Sequence, residues 1–97
     1  MQASIAIQVL PSVADTAEVV AIVDEVIAYI KSSGLHVHVG PFETTIEGDD
    51  IDLLFDIAKE CQKIVIRSGA PQVISYIKVA YNPEGVLGID EKITKHR

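Results

Sequence analysis

The chain has 97 residues, a formal net charge of −6 and 48% apolar residues, most of them aliphatic, since it has no Trp, three Tyr and two Phe. This length and composition predict one folded domain spanning residues 1–97, of α/β or α+β class, rather than a disordered chain. The acidic balance and the lack of a basic stripe argue against nucleic-acid binding, and no apolar run reaches the ~18 residues of a membrane span.

The first predicted element is a strand over residues 3–10, whose side chains alternate between two faces. Pro11 follows it and has no N–H to donate, so the pairing of this strand is expected to end there. The N-terminus lacks the basic and apolar regions of a secretory signal, so a cytoplasmic location is expected.

A helix and a second strand come next. Residues 16–33 carry apolar side chains at helical spacing, and Asp15 precedes them as a suitable N-cap. Residues 35–40 alternate between an apolar face and a polar face that carries His36 and His38. The alternation predicts a strand with one side against the core.

The middle of the chain predicts a short strand and a long helix. Residues 44–47 follow the Gly40–Pro41 turn, so this strand is expected to form a hairpin with the preceding one. Residues 50–68 have the spacing of a second helix. The apolar face of this helix includes Cys61, the single cysteine, which excludes an internal disulfide and a Cys-rich metal site. Cys61 is therefore interpreted as a core residue rather than a nucleophile.

Residues 72–81 predict the last long strand, and residues 89–97 are expected to form either a short helix or an extended arm. The order β-α-β-β-α-β is typical of an α+β, ferredoxin-like βαββαβ sandwich. In this fold a four-stranded antiparallel sheet carries both helices on one face. The other face is expected to have no covering layer.

The uncovered face, called the open face below, is predicted to be neither fully polar nor fully apolar. Strand alternation assigns to it Ala6, Gln8, Leu10, His36, His38, Thr45, Glu47, Ile74, Tyr76 and Lys78. Such a face is suited to contact with a second subunit, with a polar pocket enclosed between the two sheets.

Polar groups concentrate between Gly40 and Gly48, where Thr44, Thr45 and Glu47 supply two hydroxyls and a carboxylate. Glu47 could accept hydrogen bonds from an amino or ring N–H group, or balance a cationic ligand. It could equally be a solvated strand-end residue or an acid that complements a helix dipole. The two threonines could simply reflect strand propensity.

Gln8 is an amide in an otherwise apolar strand, and a buried amide needs a hydrogen-bond partner, either a ligand or another subunit. His36 and His38 share one face, and together with Glu47 they could ligate a divalent metal. They could also lie on a partly wet sheet surface, with His38 hydrogen-bonded to a ligand. No Ser/His/Asp ordering, phosphate loop or metalloprotease signature is present, so no catalytic residue and no cofactor are expected.

Several segments together resemble the small ferredoxin-like proteins that bind thiamine or its hydroxymethylpyrimidine part. The segments are Val9–Leu10–Pro11, Ser33–Gly34–Leu35, Gly40–Pro41, Thr44–Thr45–Ile46–Glu47–Gly48 and Asp90–Glu91–Lys92–Ile93. The resemblance covers nearly the whole chain, and the Thr-x-x-Glu-Gly element is its most specific part.

The resemblance implies small-molecule binding without turnover, in a homodimer or homotetramer whose open faces come together. Thiamine has a cationic thiazolium ring and an aminopyrimidine ring. A carboxylate, an amide and hydroxyls can form hydrogen bonds with the donor and acceptor groups of the aminopyrimidine. The ligand-binding residues expected on this basis are Gln8, His38, Thr44, Thr45 and Glu47. Because no basic cluster lies near these residues in the sequence, phosphate esters are expected to bind less well.

Two alternatives to ligand binding stay open on the sequence alone. One is a structural or regulatory oligomer whose open face serves only as an interface. The other is a metal-dependent enzyme that uses His36, His38 and Glu47.

Overall fold

The computed structural model describes residues 1–94 of the chain. In chain order, its elements are β1 (Ala3–Pro11), α1 (Thr16–Lys31), β2 (His36–Val39), β3 (Thr44–Gly48), α2 (Ile51–Arg67), β4 (Val73–Tyr81) and α3 (Ile89–Thr94). The first six confirm the predicted ferredoxin-like α+β class. The last three residues of the arm predicted over 89–97 lie outside the described residues.

The four strands form one antiparallel sheet in the order β2-β3-β1-β4, and β2 and β3 form the predicted hairpin. Strand β1 is central and pairs with both neighbours. Its ladder with β3 runs from Ala3 opposite Gly48 to Ile7 opposite Thr44. Its ladder with β4 is longer and runs from Ala3 opposite Tyr81 to Pro11 opposite Val73.

Pro11 belongs to the strand, so the prediction that it ends the pairing was wrong. The loss of one N–H does not stop the ladder, because the following residue, Ser12, donates its N–H to the carbonyl of Gln72 at 3.0 Å. Strand β1 therefore stays attached to β4 along its whole length.

Helices α1 and α2 cover one face of the sheet, and side chains from both layers meet in the core. The fully buried large side chains are Ile5, Ile30, Ile46, Leu54, Val65 and Cys61. The predicted cap of α1 is confirmed, since the Asp15 carboxylate accepts the N–H of Ala17 at 2.9 Å. Helix α1 ends at Lys31 rather than at residue 33, and Gly34, with φ 77°, turns the chain toward β2.

The C-terminal segment forms the short helix α3, and its contacts are with the open face of the sheet. Ile89, the first residue of α3, is only 5% exposed. The open face is therefore partly covered, which the sequence did not predict, because the chain turns back after β4 and buries an apolar side chain there. Within residues 1–94, every helix is too short or too polar to span a lipid bilayer.

The interpretation of Cys61 as a core residue is confirmed, since the side chain is 0% exposed. Burial raises the pKa of its thiol to about 11, and the neighbouring Glu60 carboxylate acts in the same direction. At about pH 8, only about one Cys61 thiol in a thousand would thus be ionised.

We expect iodoacetamide to leave the native protein unmodified and to label it after unfolding in guanidinium chloride. Equal labelling of the native and unfolded protein, measured by mass spectrometry, would contradict this burial.

Candidate ligand site

The alternation of β3 separates the predicted site residues between the two faces of the sheet. Thr45 and Glu47 lie on the open face, opposite His38 and His36 of β2 respectively. Thr44 lies on the helix-facing side and is 5% exposed. Because successive strand residues point to opposite sides, Thr44 and Thr45 cannot contact one ligand from the same face.

The Glu47 carboxylate is buried, with 6% of the residue exposed, and its Oε2 accepts the N–H of Ile89 at 2.9 Å. A Cβ added at Gly88 would lie 3.5 Å from the same oxygen, so glycine lets the backbone approach the carboxylate without crowding. Glu47 therefore holds the start of α3 against the sheet. Among the interpretations that the sequence allowed for Glu47, an acid at a helix N-terminus agrees best with this geometry.

A second contact fastens α3 to the open face. The Nε2 atom of His36 lies 3.2 Å from the Oδ1 of Asp90, in a partly exposed pair. His36 and Glu47 are also directly opposite each other on β2 and β3. These neighbouring residues thus bind the protein's own C-terminal segment.

One cavity, which we call the α1 cleft, lies between α1, the end of β1 and the turn that joins β2 to β3. It has a volume of about 230 Å³. Its walls are mainly apolar and comprise Ile7, Val9, Leu10, Val19, Val23, Val26, Ile27, Ile30, Gly40, Pro41 and Phe42, with Gln8, Glu43 and Thr44 as the polar residues. The predicted residues Gln8 and Thr44 therefore line the same cavity.

The α1 cleft exists because the two ladders of β1 end at different places. Pairing with β3 ends at Ile7, whereas pairing with β4 continues to Pro11. The backbone edge of β1 beyond Ile7 consequently has no strand partner on the cleft side within residues 1–94. At the mouth of the cleft, Phe42 is 79% exposed and offers an aromatic face.

A second cavity, the open-face groove, has a volume of about 310 Å³. It is lined by Ser4, Ala6, Glu43, Thr45, Lys78, Val79, Ala80 and Lys92. Lys78 Nζ lies 3.3 Å from Glu43 Oε2 in an ion pair with a largely exposed lysine. Of the predicted site residues, Thr45 lines this groove, whereas His38 and Glu47 line neither cavity.

Glu43 is the residue common to the α1 cleft and the open-face groove. The sequence analysis missed it, although it lies in the same polar stretch, beside Thr44. The family resemblance indicated Glu47 as the ligand-binding carboxylate. Only the fold shows that Glu47 is buried and that Glu43 borders two cavities. Lys78 was assigned to the open face, but neither it nor Lys92 was predicted as a site residue, because the two are distant in sequence and line one groove only in the folded chain.

The metal-site alternative receives no support from the geometry. Among residues 1–94, no group of three or more His, Cys, Asp or Glu side chains is arranged to hold a metal ion. His36 and Glu47 instead contact Asp90 and Ile89 of the C-terminal segment.

The fold and its two adjoining cavities define a small ferredoxin-like α+β protein with space for a ligand at one end of its sheet. A family model described as thiamine-binding protein matches residues 5–97. The chain is 47% identical over 94 residues to the UPF0045 protein CPE1503 of Clostridium perfringens (strain 13 / Type A). The aligned region covers 97% of this chain and 96% of that protein. The chain belongs to the thiamine-binding protein family, as the resemblance of its segments indicated.

Solved structures agree with this assignment. A domain of unknown function, DUF77, from Bacillus cereus is 38% identical with a TM-score of 0.87, over 100% of this chain and 91% of that chain. A protein from Thermotoga maritima, provisionally described as a thiamine biosynthesis/salvage protein, is 28% identical with a TM-score of 0.86 over 100% of both chains.

The contact between Glu47 and Ile89 predicts a stability effect. Glu47→Ala leaves a buried N–H without its acceptor, which should lower the free energy of unfolding by about 1–3 kcal/mol. In a domain of this size each kcal/mol lowers Tm by roughly 4–8 °C. Glu47→Gln keeps an acceptor and should lower Tm less. Thermal unfolding followed by circular dichroism tests this, with Glu84→Ala, a change at an exposed turn residue, as the control. A Tm for Glu47→Ala equal to that of the control would contradict the assigned contact.

Proposed function

We propose that this protein binds thiamine or its hydroxymethylpyrimidine part without chemical turnover, at the two cavities that meet at Glu43. Membership of the thiamine-binding protein family supports the ligand class. The observation on which the location rests is that one carboxylate borders both an apolar cleft and a polar groove.

The α1 cleft suits the aminopyrimidine ring. Its aliphatic walls can pack on the ring faces and methyl group, and Phe42 can stack at the mouth. Glu43 can accept from the amino group in a charge-assisted hydrogen bond, and Thr44 offers a hydroxyl on the helix-facing side.

The size of each cavity suggests how a two-ring ligand is divided. At about 230 Å³ the α1 cleft is smaller than the ~300–1,000 Å³ of a pocket for a drug-sized molecule. It suits one ring. The cationic thiazolium would then lie toward the open-face groove, where it would compete with Lys78 for the Glu43 carboxylate.

In this proposal the residues that the sequence predicted to bind the ligand have different roles. Thr44 contacts the pyrimidine, and Gln8 borders the cleft from the end of β1 with its side chain on the open face. Thr45 faces the groove, and His38 lies beside Thr45 on β2. Glu47 acts as a positioning residue for α3 instead of pairing the amino group, since one of its oxygens already accepts the Ile89 N–H. Lys78 and Lys92 also line the groove, which removes the reason for expecting phosphate esters to bind less well.

Calorimetric titration with thiamine and with hydroxymethylpyrimidine tests the proposal. Glu43→Gln keeps the shape of the side chain but removes its charge, and should weaken thiamine binding at least tenfold, since hydrogen bonds to charged groups contribute about 1.5–3 kcal/mol. Loss of the exposed Lys78 ion pair should change stability little.

Glu84→Gln provides the matched control, because it removes the same charge from an exposed turn away from both cavities. Equal affinity of the Glu43→Gln and Glu84→Gln variants would show that Glu43 does not recognise the ligand. Absence of binding by the unmodified protein to either compound would overturn the proposed function itself. Stronger dependence on Glu43 for thiamine than for the neutral pyrimidine would place the cationic ring beside this carboxylate.

A further inference from the structure

The open-face groove is locally positive in a chain whose formal net charge is −6. Lys78 of β4 and Lys92 of α3 both line it, and Glu43 supplies a carboxylate. Two lysines against one carboxylate give the described lining residues a net positive charge. Both lysines are exposed, and a lysine side chain is a flexible stem with three donors at its end, so both ammonium groups can turn toward a ligand.

The register of the sheet explains the shape of this groove. Ala6 of the central strand lies opposite Thr45 on one side and opposite Lys78 on the other. Because opposite Cα atoms are about 4.5–5.5 Å apart, Thr45 and Lys78 are separated by roughly 10 Å across a residue with only a methyl side chain. Ser4, two residues before Ala6 on the same face, adds a second hydroxyl to the lining. A polar part of a ligand can therefore lie between hydroxyl and ammonium groups.

Three carboxylates near the groove contact the start of α3 or its strand neighbour instead of lining the groove. Glu47 accepts the backbone N–H of Ile89, and Glu91 accepts that of Gly88 at 3.3 Å. Asp90 pairs with the first histidine of β2. Within residues 1–94, the groove lining therefore excludes these acids, and its positive charge is not offset by them.

Thiamine alone would leave the charges of this groove poorly matched. Its thiazolium ring would have to displace Lys78 from Glu43, whose Oε2 lies 3.3 Å from the lysine Nζ. The displaced ammonium group would then lie near a second cation. A phosphate monoester carries about −1.5 to −2 charges at pH 7 and would give that ammonium group a new partner. A ligand with both a cationic ring and a phosphoryl group thus replaces one ion pair with two.

We propose that the open-face groove binds the phosphoryl group of a phosphate monoester, so that thiamine monophosphate binds more tightly than thiamine. The inference rests on the proposed function, in which Glu43 balances the cationic ring. Lys78 and Lys92 donate charge-assisted hydrogen bonds to the phosphoryl oxygens, and the Thr45 hydroxyl is a further donor. This order of affinity is the opposite of the one expected from the sequence, because both lysines reach the groove only in the folded chain.

Calorimetric titration of the unmodified protein with thiamine and with thiamine monophosphate measures the difference. The phosphate ester should bind about tenfold more tightly at low ionic strength, since it gains hydrogen bonds between charged groups. The advantage should shrink as NaCl is added, because salt screens exposed charges. Thiamine binding with equal or weaker binding of the monophosphate overturns this inference and leaves the proposed function intact. Binding of neither compound overturns the proposed function and the inference with it.

Variants of the two lysines test whether the groove is responsible. Lys78→Gln and Lys92→Gln each remove one positive charge from the lining, and each should weaken the binding of thiamine monophosphate about tenfold. The same variants should bind thiamine more tightly, because a like charge beside the cationic ring has been removed. A damaged fold would weaken the binding of both ligands, so opposite responses of the two ligands identify the phosphoryl group as the partner of the lysines.

Lys63→Gln is the matched control, because Lys63 is an exposed lysine of α2, which covers the opposite face of the sheet. This change alters the net charge of the protein by the same amount and leaves the groove as it is. An equal loss of affinity for thiamine monophosphate in the Lys63→Gln and Lys92→Gln variants would indicate a general effect of net charge and overturn the groove as the phosphate site. Equal weakening of thiamine and thiamine monophosphate by both groove variants would also overturn it.

Discussion

Strand β1 is hydrogen-bonded along both edges, and the rest of the sheet takes its position from these two ladders. The ladder with β4 continues to Pro11, whereas the ladder with β3 stops at Ile7. The end of β1 is therefore open on one side, and α1 lies beside it to enclose the α1 cleft. The cavity arises from unequal strand lengths in a regular sheet, with no inserted loop.

The open face is organised by a different constraint, the burial of the Glu47 carboxylate. A buried acceptor of this strength needs a donor, and the backbone of Ile89 supplies one. This contact turns the C-terminal segment into a partial layer over the sheet. The remainder of the face forms the open-face groove, where Thr45, Lys78 and Lys92 are still accessible.

The two borders of the sheet differ in chemistry. Strand β2 is short and polar on its open side, and β4 is long and apolar on both sides. Lys78 belongs to both regions, since it lines the groove, pairs with Glu43 and lies on the edge strand.

The sequence by itself determined the element order, the Asp15 cap, the hairpin and the assignment of residues to sheet faces, because these depend on spacings of two to four residues. The same period of two already placed Thr44 and Thr45 on opposite faces. Only the tertiary structure decided that Glu47 bonds a residue 42 positions away and that Glu43 meets Lys78 35 positions away. Such contacts depend on strand register and on where each ladder ends. Local sequence patterns do not encode those features. The tertiary structure was therefore needed to distinguish the buried Glu47 carboxylate from the Glu43 carboxylate, which borders both cavities.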